Sequence, residues 1–301
     1  MMKRVLVFVF TSWAVLHVRA QSFSEVTNLL DSPTVGVFAV GTSIIDVNSD
    51  GLLDLYRFQG TFLQQPDGSF LESSGDIGFK NEDGSTAEGS TVFGAIFGDY
   101  DNDGYVDAFF EDLTAGSRLF RNRGDGSFYQ ANQETGIEIF SALQGSVWAD
   151  FDNDGLLDLF VGGDGDPSGL FLNNGDDTFE NASANVGYSP FRNVYGVAAA
   201  DFDNDGDIDI YLSSCSQFAA ASRNMLFRND GQAGFTDIAP SLGLDDDRGG
   251  WAVVWADVNN DGWLDLFVAN QPVSGAGIES RPGFNRMYIN DGAGGFTDMA
   301  P

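Results

Sequence analysis

Asp150-Phe151-Asp152-Asn153-Asp154-Gly155-Leu156-Leu157-Asp158 is a nine-residue run with carboxylates at positions 1, 3, 5 and 9 and glycine at position 6. Close copies begin at Asp46, Asp99, Asp201 and Asp257, so the five starts lie 53, 51, 51 and 56 residues apart. Before each copy stands a run of small and apolar residues, such as Ser146-Val147-Trp148-Ala149 or Ala252-Val253-Val254-Trp255. After it comes a strand-like run, such as Ala108-Phe109-Phe110 or Leu159-Phe160-Val161. A third run follows, Arg118-Leu119-Phe120 or Met225-Leu226-Phe227, and leads into a turn such as Asn173-Asn174-Gly175-Asp176. A fourth short strand then opens on Phe128, Phe179, Phe235 or Phe296, and the first repeat keeps a degraded turn at Pro66-Asp67-Gly68-Ser69-Phe70. Four short strands per unit of roughly 50 residues, repeated, is the pattern of a propeller blade. The expected fold class is all-β, a β-propeller of four-stranded blades with five repeats visible. Near-continuous apolar runs fit strands covered on both faces by neighbouring blades.

The loop chemistry points to calcium, a hard cation that takes six to eight oxygen ligands in flexible geometry. Side chains at positions 1, 3, 5 and 9 and a carbonyl at position 7 supply them. Loop 1 offers Asp46, Asn48, Asp50, Asp54 and the carbonyl of Leu52; loop 2 offers Asp99, Asp101, Asp103, Asp107 and the carbonyl of Tyr105. Loop 3 offers Asp150, Asp152, Asp154, Asp158 and the carbonyl of Leu156; loop 4 offers Asp201, Asp203, Asp205, Asp209 and the carbonyl of Asp207. Loop 5 offers Asp257, Asn259, Asp261, Asp265 and the carbonyl of Trp263. Glycine at position 6 permits the positive-φ turn around an ion. The apolar residue at position 8 (Leu53, Val106, Leu157, Ile208, Leu264) is expected to anchor the loop to the core. The first half of the loop matches an EF-hand, but position 12 is Arg57, Phe110, Val161, Leu212 or Val268 rather than glutamate, so the bidentate role is expected at position 9. Carboxylates aimed at one centre repel without a cation, so metal binding is expected to couple to stability. Loops 1 and 5 are the weaker copies, because Asn48 and Asn259 lower their charge.

Acids number 45 against 14 Lys plus Arg, a net charge of −31, which argues against nucleic acid or an anionic membrane as partner. Residues 1–20 read as a signal peptide: Lys3 and Arg4 precede an apolar run from Val5 to Leu16, and Val18 and Ala20 fit the positions before cleavage. That run is short for a membrane span. The expected organisation is a leader at 1–20 and a repeat array at 21–301, secreted and not inserted in a membrane after cleavage. The single histidine, His17, falls inside the leader, so the mature chain is expected to carry none. That excludes Ser-His-Asp and Cys-His catalysis and His-ligated zinc or iron. Cys215 is the only cysteine, is expected to be buried, and has no intrachain disulfide partner. Asn181-Ala182-Ser183 is a glycosylation sequon.

These loops and strands resemble the FG-GAP and VCBS repeats of integrin α-chain propellers and many secreted proteins, from about Phe23 to Pro301. The Asp-Phe-Asp-Asn-Asp-Gly loops, the Asn-Asn-Gly-Asp turn, and Phe235-Thr236-Asp237 and Phe296-Thr297-Asp298 look like those of the cartilage acidic protein group. The resemblance implies about seven blades with calcium loops on the lower face. Phe23-Ser24-Glu25-Val26-Thr27 matches the fourth strand at Phe296, so both ends read as copies of one strand. The expectation is a fragment of a six- to eight-bladed ring; a five-bladed ring with a spare strand is the alternative.

A propeller hosts many functions. The preferred reading is an extracellular binding or adhesion scaffold for a protein or glycan ligand, using the face opposite the calcium loops. A calcium-dependent polysaccharide lyase or hydrolase and a structural module of a larger protein are the alternatives. Catalysis is disfavoured because most of the distinctive aspartates are committed to metal and no other motif marks a catalytic pair. The opposite face is expected from connections 75–91, 132–146, 185–195, 212–223, 243–251 and 269–283. They carry Tyr188, Phe191, Arg192, Tyr195, Arg223, Arg248, Trp251, Arg281 and Phe284, aromatics and arginines that suit protein or glycan contacts. Arg123-Gly124-Asp125 spells an integrin-recognition tripeptide but sits in the ordinary repeat turn, where chance accounts for it.

Overall fold

The computed structural model describes residues 42–57, 60–73, 78–85, 87, 92–112, 116–137, 143–163, 168–186, 193–215, 223–231, 233–271, 273–275, 278–281 and 284–299. The leader at 1–20, the strand expected at Phe23, and Tyr188, Phe191 and Arg192 lie outside the described residues, as does the side chain of Arg281.

Five antiparallel sheets follow one another along the chain, each built from four consecutive strands of the main repeat. Blade 1 comprises Thr42–Ile45, Asp54–Arg57, Gly60–Gln64 and Phe70–Glu72. Blade 2 comprises Val92–Gly98, Asp107–Asp112, Arg118–Asn122 and Ser127–Gln130. Blade 3 comprises Leu143–Ala149, Asp158–Gly163, Gly169–Asn173 and Phe179–Asn181. Blade 4 comprises Val194–Ala200, Asp209–Ser214, Met225–Asn229 and Phe235–Asp237, and blade 5 Gly249–Ala256, Asp265–Gln271, Arg286–Asn290 and Phe296–Asp298. The first strands of successive blades pack side by side. This is the all-β propeller architecture that the repeat implies.

The connections hold more structure than the sequence suggested. Gly78–Lys80 adds a fifth strand to blade 2, parallel to Ser127–Gln130 at its outer edge. Phe79 is the reason, since its ring packs against Phe128, Phe110 and Phe120 with centroids 4.4, 4.6 and 5.2 Å away. The 269–283 connection carries a small hairpin, Val273–Gly275 with Ile278–Arg281.

The core is a set of slabs between blades. Neighbouring residues of one strand enter different slabs, because strand side chains alternate. Phe109 and Leu159 lie in the slab between blades 2 and 3, while Phe160 and Ile210 lie between blades 3 and 4. Tyr211 and Leu266 fill the next slab. Every residue of Asp158–Gly163 and of Asp209–Ser214 is buried, which explains the continuous apolar reading of the second strands.

Candidate metal centres

Each nine-residue loop joins the first strand of a blade to the second and is shaped by its own carboxylates. In loop 3 the N–H groups of Asp154 and Gly155 donate to Asp150 Oδ1 and Oδ2 at 3.0 and 2.9 Å. The same two bonds recur in the other four loops. The N–H of position 7 donates to the position-5 carboxylate, Leu156 to Asp154 at 2.8 Å. Glycine at position 6 stands at φ between 85° and 97°. Position 4 is also left-handed, at φ between 56° and 61°, and is Asn102, Asn153, Asn204 or Asn260, with Ser49 in loop 1. Asparagine tolerates this region because its short polar side chain bonds locally. The recurrence of asparagine at position 4 was the unused signal for this second bend.

Position 9 is fully buried in all five loops. One oxygen of Asp158 accepts the N–H of Phe151 at 2.8 Å, the other the N–H of Asn173 at 2.8 Å. The corresponding bonds hold Asp54, Asp107, Asp209 and Asp265. Burial pushes the Asp107 carboxyl up to about 8 and those of Asp158 and Asp209 up to about 7, against the opposing pull of these N–H bonds.

In three loops the carboxylates converge. Ligand atoms of Asp99, Asp101 and Asp107, of Asp150, Asp152 and Asp158, and of Asp201, Asp203 and Asp209 lie within 4.8 Å of one another. Two oxygens on one calcium ion stand at most about 4.8 Å apart, twice a bond of about 2.4 Å. Asp203 supplies a test of fit. Its Oδ1 is buried and accepts no hydrogen bond, and burial, then repulsion from Asp205 and Asp201, raises its pKa. A buried carboxylate oxygen without a donor is costly unless a cation meets it, so the donor set fits a hard metal ion. The position-5 carboxylates Asp103, Asp154 and Asp205 are exposed at the rim of their loops.

Loops 1 and 5 differ as their charge predicts. Asn48 Nδ2 donates to Asp50 Oδ2 at 3.0 Å, and Asn259 Nδ2 to Asp261 Oδ2 at 2.8 Å, so these loops partly satisfy themselves. Loop 2 differs in a way the sequence did not announce: Arg121 Nη2 lies 2.5 Å from Asp101 Oδ2.

Position 8, expected to anchor the loop, is partly buried at Val106, Leu157, Ile208 and Leu264, with Ile208 packed on the core, but position 2 is the deeper anchor in loops 1 to 4. Leu53 at position 8 is 38% exposed, whereas Val47, Tyr100, Phe151 and Phe202 at position 2 are at most 3% exposed. The reason is the next blade. Tyr100 packs on Trp148 and Phe179 of blade 3, and Phe202 on Trp255 and Phe296 of blade 5. The carbonyl of position 2 is gripped as well: Asn173, Asn229 and Asn290 donate through Nδ2 to Tyr100, Phe151 and Phe202 of the preceding blade at 2.8, 2.7 and 3.0 Å. Val258, at position 2 of loop 5, has no such cover among the described residues and is 51% exposed.

On the opposite face Tyr195 and Trp251 form an aromatic pair with centroids 5.4 Å apart. Arg223 and Arg248 are engaged in ion pairs with Asp245 and Asp246. Phe284 is 48% exposed. In the Arg123-Gly124-Asp125 turn, Arg123 stacks over Tyr129 at 4.6 Å and Asp125 accepts the Ser127 N–H and hydroxyl, so both charged ends are held within the blade. Cys215 is buried.

Comparison with known proteins agrees with this architecture. A family model for the FG-GAP-like repeat matches residues 99–161, 150–212 and 217–268. Cartilage acidic protein 1 of Homo sapiens is 30% identical over 196 residues, which are 61% of this chain and 29% of that protein. Its Xenopus tropicalis counterpart is 28% identical over 194 residues, 60% of this chain and 30% of that protein. The chain thus spans about three tenths of the length of these curated relatives. A solved structure of an Agrocybe aegerita lectin, described as recognising non-reducing terminal N-acetylglucosamine, has a TM-score of 0.46 at 17% identity, covering 86% of this chain and 65% of that one. At that score the likeness carries no argument about this chain.

Proposed function

Because this chain belongs to the FG-GAP-like repeat family, we propose that it is a secreted calcium-binding β-propeller that displays a binding surface to a protein or glycan ligand outside the cell. The observation that carries the metal half is the convergence of three carboxylates in loops 2, 3 and 4, with Asp203 Oδ1 buried and unpartnered in loop 4. In the full reading, positions 1, 3, 5 and 9 and the position-7 carbonyl hold the ion in all five loops, with position 9 bidentate. A bound cation supplies the positive charge that lets buried aspartates stay ionised. The binding half rests on position: the metal loops occupy one end of the blades, and the Tyr195–Trp251 aromatic pair stands at the other. The charged start and apolar run within residues 1–20 favour secretion, and Asn181, exposed at the end of an outer strand, begins a glycosylation sequon.

Thermal unfolding of the chain in calcium and in EDTA tests the metal half. Each site filled at a hundredfold excess over its Kd contributes about 2.7 kcal/mol, so several sites together raise the Tm by roughly 10 °C or more. An unchanged Tm would reject the assignment. Protein and glycan arrays probed with the calcium-loaded chain test the binding half.

A further inference from the structure

A bulge recurs at one register of the first strands. It falls between Val92 and Gly94 in blade 2, Leu143 and Gly145 in blade 3, Val194 and Gly196 in blade 4, and Gly250 and Ala252 in blade 5. The inserted residues are Phe93, Gln144, Tyr195 and Trp251. A bulge breaks the alternation of a strand and re-aims one side chain, and bulges gather beside functional sites. The loops and turns of this repeat stay nearly constant from blade to blade. The bulged position carries four different residues, three of them aromatic.

The bulges stand at the end of the blade away from the metal loops. In blade 3, Ala149 pairs with Asp158 at the loop end and Leu143 with Gly163 at the other. The two ends are about 20 Å apart at the rise of a strand. There Gln144, Tyr195 and Trp251 line one cavity of about 380 Å³, with Glu111 and Ser146 beside them. Glycine follows the bulge in blades 2, 3 and 4, and in blades 3 and 4 the neighbouring strand is too close for a side chain. A Cβ on Gly145 would stand 2.8 Å from the Tyr195 carbonyl oxygen, and one on Gly196 would stand 3.0 Å from Ala252 Cα. Close packing of the strands therefore fixes the spacing of the bulged side chains.

We propose that this cavity binds one uncharged sugar ring, with Tyr195 and Trp251 against its C–H face and Glu111 and Gln144 at its hydroxyl edge. The proposal deepens the scaffold reading above and rests on its placement of the ligand face. Size agrees, since small-molecule sites begin at about 300 Å³. Chemistry narrows the class. The net charge of −31 disfavours an anion. Glu111 is buried and accepts the Ser146 hydroxyl at 2.5 Å, and desolvation pushes it up to about 7, toward its neutral form, so it offers an organic cation less charge than a free carboxylate does. A neutral carboxyl and a carboxamide both donate and accept, as sugar hydroxyls do. The tilted aromatic pair supplies the apolar face that a sugar's C–H groups cover.

Isothermal titration of the calcium-loaded chain tests this with six methyl glycosides: glucose, galactose, mannose, fucose, N-acetylglucosamine and N-acetylgalactosamine. At least one is expected to bind with a Kd of about 1 mM or tighter. Trp251→Ala, Tyr195→Ala and Glu111→Ala weaken it at least tenfold, and Trp251→Phe, which keeps a ring, recovers at least threefold of the loss at that position. Where an alanine variant fails to fold, Gln144→Leu, which keeps the bulk and removes the hydrogen-bonding edge, is expected to weaken binding at least threefold. The site is overturned if none of the six binds at 50 mM, or if Tyr195→Ala and Trp251→Ala fold and bind as the parent does. The ligand class is overturned if n-butylamine binds more tightly than every glycoside and loses binding in Glu111→Gln. A protein ligand found on an array with no glycoside bound rejects the sugar site and leaves the scaffold reading standing. Sugar binding together with a Tm insensitive to EDTA rejects the calcium assignment and leaves the sugar site standing.

Discussion

Arg121 puts a guanidinium against a carboxylate of loop 2. Its Nη2 lies 2.5 Å from Asp101 Oδ2 and its Nη1 2.9 Å from Asp177 Oδ2 of blade 3. The equivalent strand position is Leu63, Leu172, Arg228 or Ile289 elsewhere, and Arg228 pairs with Asp230 outside its loop. A metal ion at loop 2 must therefore displace a charge already in contact with Asp101. Arg121→Gln removes the competitor, and calcium calorimetry should show one site tightening about tenfold, equivalent to about 1.4 kcal/mol. Unchanged or weaker constants would contradict the competition. A second prediction concerns the buried position-9 carboxyls. The folded-state pKa values of Asp107, Asp158 and Asp209, about 8, 7 and 7, lie above the ordinary value of 3.8. Their stabilising contribution is complete below about pH 4 and is lost as pH rises through 7 to 8. Chelated protein should lose Tm steadily from pH 5 to pH 8.5. Calcium binds the ionised form, so its affinity rises across that window and the gap between calcium and EDTA melting curves widens. Calorimetric scans at several pH values check this, and a constant gap would contradict it.

At the scale of elements, the clasp asparagine at the end of the third strand joins blade to blade. Asn229 accepts the Gly231 N–H through its side-chain oxygen and donates its backbone N–H to Asp209. Its Nδ2 reaches the carbonyls of Phe151 in blade 3, at 2.7 Å, and of Ile208 in its own loop, at 3.2 Å. Asn229→Ala leaves buried carbonyls unpaired, which costs about 1–3 kcal/mol. Urea unfolding should show that loss, while the backbone N–H bond to Asp209, which alanine keeps, stays in place. A loss of stability below about 0.5 kcal/mol would mean that water or a neighbour replaces the clasp. This element also shows where reading the sequence stops. The five loops, the strand runs and the aromatic that opens each fourth strand were legible because they recur in register. Asn173, Asn229 and Asn290 recur too, but looked like turn residues, since nothing local to them reveals a bond to residues 73, 78 or 88 positions earlier. Positions 2 and 8 are both apolar, and only the neighbouring blade decides which is covered more deeply. The bulges at Gln144, Tyr195 and Trp251 were invisible for a similar reason: an inserted residue shows only against the partner strand.

At the scale of the molecule, the clasps and loops form one line of hydrogen bonds across four blades. From Asp107 it passes through Tyr100 to Asn173 and Asp158, through Phe151 to Asn229 and Asp209, and through Phe202 to Asn290 and Asp265. Each position-2 residue gives its N–H to the buried aspartate of its own loop and its carbonyl to the clasp of the next blade. Repeat arrays draw their stability from such nearest-neighbour terms. A cation that orders one loop also fixes the carbonyl that the next blade grips, so adjacent sites should load cooperatively, and the coupling should be reciprocal. Loop 5 offers a readout, because Trp263 stands at its position 7 and can sensitise terbium luminescence. Disabling loop 4 with Asp203→Asn and Asp205→Asn should weaken terbium binding at loop 5 about fivefold or more, the lower end of ordinary coupling between sites. Asn290→Ala should abolish that dependence, leaving loop 5 with the same affinity whether loop 4 is intact or disabled. Equal affinities in the two backgrounds while Asn290 is present would make the line a staple between blades with no part in ion loading.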